Sequence, residues 1–223
     1  AYKIASADII NPMLVEYVAK LGKPIVLSTG GGTMTDIRRM VDTILPINDQ
    51  LVILHCTASY PVLYHDMNLN VIPKLIKEFP NQIIGLSDHE NGAHAASLAY
   101  HLGARVFEKH FTLNRAWKGT DHSFSLEPRG LTKLVRNLSR IPGLLGNEQK
   151  TLLECEKNTV QKMRKSIVAK KDLKENTILQ QEHFDYRCAG GGGLEPYRVV
   201  DIIGKTLSRE LKKDGYIKLE ELI

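Results

Sequence analysis

Two histidines about twenty residues apart, each closing a short apolar run, offer the most legible chemistry in this chain. They end the segments Gly85-Leu-Ser-Asp-His89 and Phe107-Glu-Lys-His110. A helical stretch lies between the two runs, as it does between neighbouring strands of a parallel sheet, so the histidines fall at the same end of adjacent strands. Two neutral imidazoles placed there could hold one divalent ion, Mn2+ or Mg2+, with positions left open for water or substrate oxygens. Such an ion acts as a Lewis acid on a carbonyl. The serine, carboxylates and lysine in the same segments, Ser87 and Glu108 among them, suit an anionic substrate.

Other residues could join that chemistry, each with a plainer reading beside it. Ser28-Thr-Gly-Gly-Gly, between a strand and a helix, could offer hydroxyl and backbone N–H groups to a phosphate, or could simply make a tight turn. It lacks the spacing of a dinucleotide fingerprint and the lysine of a P-loop. Lys3 and Ser6 bracket the first strand. A lysine buried there needs an anion, whereas one on a frayed end does not. Asp121, in Lys118-Gly-Thr-Asp-His122, could hydrogen-bond sugar hydroxyls or serve as a turn residue. Arg187 precedes a glycine run, either as a loop-borne ligand contact or as a surface charge. His55 reads as a structural histidine, and His94 and His101 as ordinary helix residues.

The elements that must position these groups alternate regularly. Strands are expected over 3–6, 24–27, 51–54, 83–86 and 105–107, with helices over 12–21, 35–44, 69–78, 93–102 and 131–140. Five βα units with polar residues just past each strand indicate an α/β fold of parallel type. Short apolar strands with polar ends favour part of a (β/α)8 TIM barrel over an open sheet, because barrel active sites collect at that face. On this reading three units are absent before Ala1. The expected division is a partial barrel over 1–145, a linker over 146–162 and a small β-rich domain over 163–223, the last marginal in core by itself.

Composition narrows the class. The chain has 223 residues, 30 basic against 25 acidic, and a net charge of +5, with a pI near 9.0. That excess suits acidic small molecules, and no basic block interleaved with aromatics argues for nucleic acid. Three scattered cysteines without metal spacing fit a reducing, cytoplasmic setting. No apolar run is long enough to cross a membrane as a helix.

Taken together, Lys3-Ile-Ala-Ser6-Ala-Asp8, Gly22-Lys-Pro-Ile-Val-Leu-Ser28-Thr-Gly, Leu54-His-Cys-Thr-Ala-Ser-Tyr60-Pro, Gly85-Leu-Ser-Asp-His89, Glu108-Lys-His110-Phe-Thr-Leu and Gly119-Thr-Asp121-His resemble the sialic acid synthase family. That family includes N-acetylneuraminate, pseudaminic and legionaminic acid synthases. The tail, with Arg187 before glycines and Asp201-Ile-Ile-Gly-Lys205, resembles the family's antifreeze-like (SAF) domain. The resemblance implies condensation of phosphoenolpyruvate with an N-acylated mannosamine-type sugar, giving a nine-carbon 2-keto sugar acid and phosphate. It implies that Lys3, Ser6, Ser28 and Ser87 hold phosphoenolpyruvate and that His89 and His110 bind the metal. Glu108 would lie beside the reacting centre, and Asp8, Tyr60 and Asp121 would face the sugar. Arg187 would reach the site of a neighbouring subunit in a domain-swapped homodimer. Asp8 departs from the family's usual glutamate and Ala58 from a common asparagine, and the family's early-strand lysine and glutamate have no counterpart here. Two further readings compete: another metal-dependent barrel aldolase, which has no reason to carry such a tail, and a non-catalytic relative that binds a sugar or a partner.

Overall fold

Aliphatic and β-branched runs bounded by glycine, proline or polar residues form five strands: β1 (Tyr2–Ile4), β2 (Ile25–Ser28), β3 (Leu51–Cys56), β4 (Ile83–Asp88) and β5 (Val106–Lys109). They make one parallel sheet in sequential order, β1-β2-β3-β4-β5. The computed structural model describes residues 1–188, 190 and 192–223, in two units, Ala1–Gly146 and Asn147–Ile223.

Helices α1 (Pro12–Lys20), α2 (Met34–Ile44), α3 (Val71–Glu78), α4 (His94–His101) and α5 (Pro128–Leu145) follow the five strands in turn. Local chemistry sets their starts. Asn11 accepts from the Leu14 amide ahead of α1, with Pro12 in the first turn, where its missing N–H costs nothing. Thr33 and Asp36 form a reciprocal capping box on α2.

Side chains alternate across each strand. One face packs the helices through Ile4, Ile25, Leu27, Leu51, Ile53, Ile84 and Leu86, all buried. The other carries Lys3, Ser28, Cys56, Ser87 and Glu108. Lys3 Nζ lies 3.5 Å from Glu108 Oε2, although the two residues sit on opposite edge strands. Four strand spacings of about 4.8 Å would set those edges roughly 19 Å apart in a flat sheet. The sheet is therefore strongly curved, with this second face on the inside, as in part of a barrel.

Several boundaries differ from the sequence expectation. β1 ends at Ile4, and Ser6 begins a 3-10 turn, Ser6–Ile10, so Lys3 and Ser6 do not bracket one strand. β3 and β4 each run two residues further than expected, which places His55, Ser87 and Asp88 inside strands rather than after them. The continued pairing of Cys56 with Ser87 accounts for that extension. α5 is longer at both ends and passes through Pro142.

The second unit begins with a 3-10 turn, Glu154–Glu156, within the stretch expected as a linker, and a short helix, α6 (Lys157–Met163), which runs one residue past it. Strands β6 (Lys165–Ala169) and β7 (Phe184–Cys188) pair antiparallel. Ile167, Leu179, Phe184, Ile202, Leu207 and Ile217 form a separate small core. Ala189 and Gly191, and with them part of the glycine run after Arg187, lie outside the described residues.

Candidate active site

Parallel register brings the two histidines together. Ser87 pairs with Glu108 and Asp88 with Lys109, so the next step along both chains carries His89 and His110. Their rings stand 5.1 Å apart, nearly perpendicular. Tyr60 covers them, its ring 4.2 Å from His89 and 5.8 Å from His110. Phe124, fully buried, lies 5.0 Å from His110.

His89 is nearly inaccessible. Its Nδ1–H donates to the Thr57 carbonyl over 2.9 Å, the tautomer that leaves the Nε2 lone pair free. Burial is the main cause holding its pKa below the usual histidine value, against the opposing pull of the Thr57 contact. His110 Nδ1 lies 3.4 Å from Asp121 Oδ2. A neutral, oriented imidazole beside a carboxylate-backed one is a donor set that fits a divalent ion with open positions. Among the described residues, no group of three or more His, Cys, Asp or Glu side chains gathers so as to hold a metal ion, so an ion there would rest on the two histidines with water or substrate oxygens.

The anionic side of the site is equally connected. Ser87 Oγ donates to Glu108 Oε1 over 2.8 Å, while Lys3 approaches the other carboxylate oxygen. The Gly30 amide donates to Ser6 Oγ over 3.0 Å, and Ser6 Oγ lies 3.5 Å from Cys56 Sγ. A Cβ at Gly30 would meet Ser6 Oγ at 2.8 Å, Cys56 Sγ at 2.9 Å and Ala58 Cβ at 3.0 Å, so this turn requires glycine for space. Ser28 Oγ is buried and has no hydrogen-bond partner among the described residues. A buried hydroxyl without a partner costs stability, and one at a strand end is available to a ligand.

The structure thus joins Lys3, Ser87 and Glu108 in one network, Ser6 with Gly30 and Cys56 in another, and His89, His110, Tyr60 and Asp121 in a third. Asp8 sits in the 3-10 turn after β1, and among the described residues no hydrogen bond or ion pair links it to these groups. Arg187 belongs to the second unit, where it pairs with Asp185 at 2.8 Å and Asp214 at 3.5 Å. His55 is structural, its Nε2 2.7 Å from the Met67 carbonyl, and burial lowers its pKa. Sequence reasoning missed Thr57, Cys56 and Phe124, which no spacing singles out. It also assigned nothing to Asp88 and Lys109, although opposite charges at matching positions of two apolar strands were a readable signal. Burial pushes the Asp88 carboxyl up, with Lys109 pulling the other way.

A curved parallel α/β sheet with its polar groups gathered at the C-terminal strand ends defines the class of barrel-type enzyme folds. Residues 1–150 match the NeuB family, and the chain belongs to it, the family of sialic acid synthases. It is 37% identical over 222 residues to N-acetylneuraminate-9-phosphate synthase of Homo sapiens, covering all of this chain and 62% of that protein. It is 33% identical to N,N'-diacetyllegionaminic acid synthase of Campylobacter jejuni, over 97% of this chain and 65% of that one. The crystal structure of sialic acid synthetase from Leptospira borgpetersenii in complex with citrate superposes with a TM-score of 0.63 at 35% identity, covering 71% of this chain and 55% of that one. The chain therefore spans less than two thirds of the length of these relatives.

Proposed function

We propose that this chain carries the substrate-holding half of a sialic acid-type synthase, condensing phosphoenolpyruvate with an N-acylated mannosamine-type sugar. The observation that carries the reading is the contiguous set Lys3–Glu108–Ser87 beside the His89–His110 pair. Lys3, Ser6 and Ser28 supply a cation and hydroxyl donors for a phosphorylated carboxylate, and Ser87, whose hydroxyl donates to Glu108, is assigned to the same anion by its place in that network. Fixed donors hold such an anion in a near-attack position without reorganisation. Tyr60, Asp121 and Asp8 are assigned to the sugar.

The chemistry needs two tasks done. C3 of phosphoenolpyruvate is a weak nucleophile. Its bond to the sugar aldehyde breaks the C=O π bond, whose oxygen takes up a proton, and leaves positive character at C2. Water adds there, and the hydroxyl so formed gives up its remaining proton as the C2–O bond to phosphate breaks to leave the ketone. The proton lost on addition needs a base. Glu108, held by Ser87 on one oxygen and by Lys3 on the other, is placed to accept that proton. His89 and His110 would hold Mn2+ or Mg2+, which would supply a Lewis acid to polarise the aldehyde. The second unit is assigned as an antifreeze-like domain whose Arg187 serves the site of a neighbouring copy in a homodimer.

The test is phosphate release from phosphoenolpyruvate with Mn2+, with and without N-acetylmannosamine, beside His110→Ala. Release that needs sugar and metal and falls about a hundredfold or more in the variant supports the synthase. Release independent of the sugar overturns it.

A further inference from the structure

At the last position of β4, between Ser87 and His89, and of β5, between Glu108 and His110, stands one charged residue that faces away from the site. Asp88 and Lys109 are register partners, and strand alternation turns both toward the helix layer. Their side chains are 2% and 4% exposed, with Lys109 Nζ 2.9 Å from Asp88 Oδ2. Among the described residues no other group donates to Oδ2, so the Lys109 ammonium is its close partner.

The remaining bonding capacity of the pair converges on Glu90, the residue after His89. Asp88 Oδ1 accepts from the Glu90 amide over 2.8 Å, and Lys109 Nζ donates to the Glu90 carbonyl. Glu90 in turn accepts from the Ala95 amide in the first turn of α4, at 3.0 Å. The pair thereby ties β4, β5 and the following turn together at the point where both histidines leave the sheet. Backbone contacts complete the hold: Val62 N–H donates to the His89 carbonyl and Leu126 N–H to the His110 carbonyl.

A buried ion pair is a poor device for stability, because desolvation offsets the Coulombic gain and apolar replacements are often neutral or better. Its best-attested use is to fix register. We propose that Asp88 and Lys109 are positioning residues, a buried clamp that locks the β4–β5 register and the Glu90 turn so that His89 and His110 stand ring to ring. Its consequence for metal affinity rests on the reading of those rings as metal ligands, whereas its consequence for ring geometry does not.

The test compares the chain with the double variant Asp88→Asn/Lys109→Met, which removes both charges so that neither is buried without the other, and with Lys109→Met alone. The primary readout is the NMR ring-to-ring contact between His89 and His110 together with the Nδ1-protonated tautomer of His89. The second is the Mn2+ dissociation constant by EPR titration, with thermal unfolding as the control. The double variant is expected to unfold near the parent, to lose the ring contact, and to bind Mn2+ about 10- to 100-fold more weakly. A folded double variant that keeps the ring contact overturns the clamp. If the parent itself binds no Mn2+, the metal reading fails, and the ring contact alone still decides the clamp.

Discussion

In the first unit Ser28, His55, Ser87, Asp88 and His89 are all buried, on or just beyond the strands. In the second, Arg187 pairs with Asp185 and Asp214 and Lys212 with Asp172 and Glu210 at the surface, while Arg209 meets a largely buried Glu221. Its core is aliphatic and aromatic, and His183, buried there, accepts from the Gln180 amide. A buried polar group costs stability unless fully bonded, whereas an exposed ion pair contributes little. Among the described residues, most of the buried polar groups thus belong to the unit whose geometry chemistry needs, and few to the other.

That contrast can be broken most severely at Lys109. Lys109→Met alone leaves the Asp88 carboxyl without its cation and is expected to cost about 3–5 kcal/mol, read as a lowered urea midpoint of the first unit. A midpoint unchanged from the parent would erase the distinction between the units. Gly30→Ala comes next, at about 1–3 kcal/mol, because a methyl there presses on Ser6, Cys56 and Ala58 together. Chemical denaturation followed by near-UV signals would read it.

Acid should weaken the first unit more than the second. His55 and His89 have pKa values lowered by burial, so both stay neutral in the fold while the unfolded chain takes up protons below about 6.5. Their stabilising share is full above that pH and is lost as pH falls through the folded values. Asp88, shifted upward, acts in the opposite sense. Comparing the parent with His55→Gln at pH 7.5 and 5.5 isolates the histidine share, because Asp88 cancels in the difference. The variant should show the smaller drop. The least effect belongs to Lys212→Ala, which removes exposed pairs of the second unit and should leave the midpoint without measurable change. A clear loss there would show that the second unit depends on its surface charges.

Much of this frame was legible beforehand. All five βα units are present where the alternation placed them, and the first helix stops before Gly22, where the structure shows a positive φ. Strand ends were less legible. β4 continues through Ser87 and Asp88 because β3 and β5 pair with it there, and cross-strand pairing lies outside any local pattern. Likewise Ser6 turned into a 3-10 segment, since beyond Ile4 no partner continues the ladder with β2.

Sequence alone determined the order of strands and helices, the polar residues at the strand ends, and the pairing of two histidines with a serine and a glutamate. Those features follow from side-chain periodicity and turn preferences that act within a few residues. Only the tertiary structure decided that Lys3 meets Glu108 across four strand spacings, that Thr57 sets the tautomer of His89, and that Asp88 and Lys109 are sealed behind the site. Each depends on sheet curvature and register, which are set by packing between segments distant in the chain and leave no local trace.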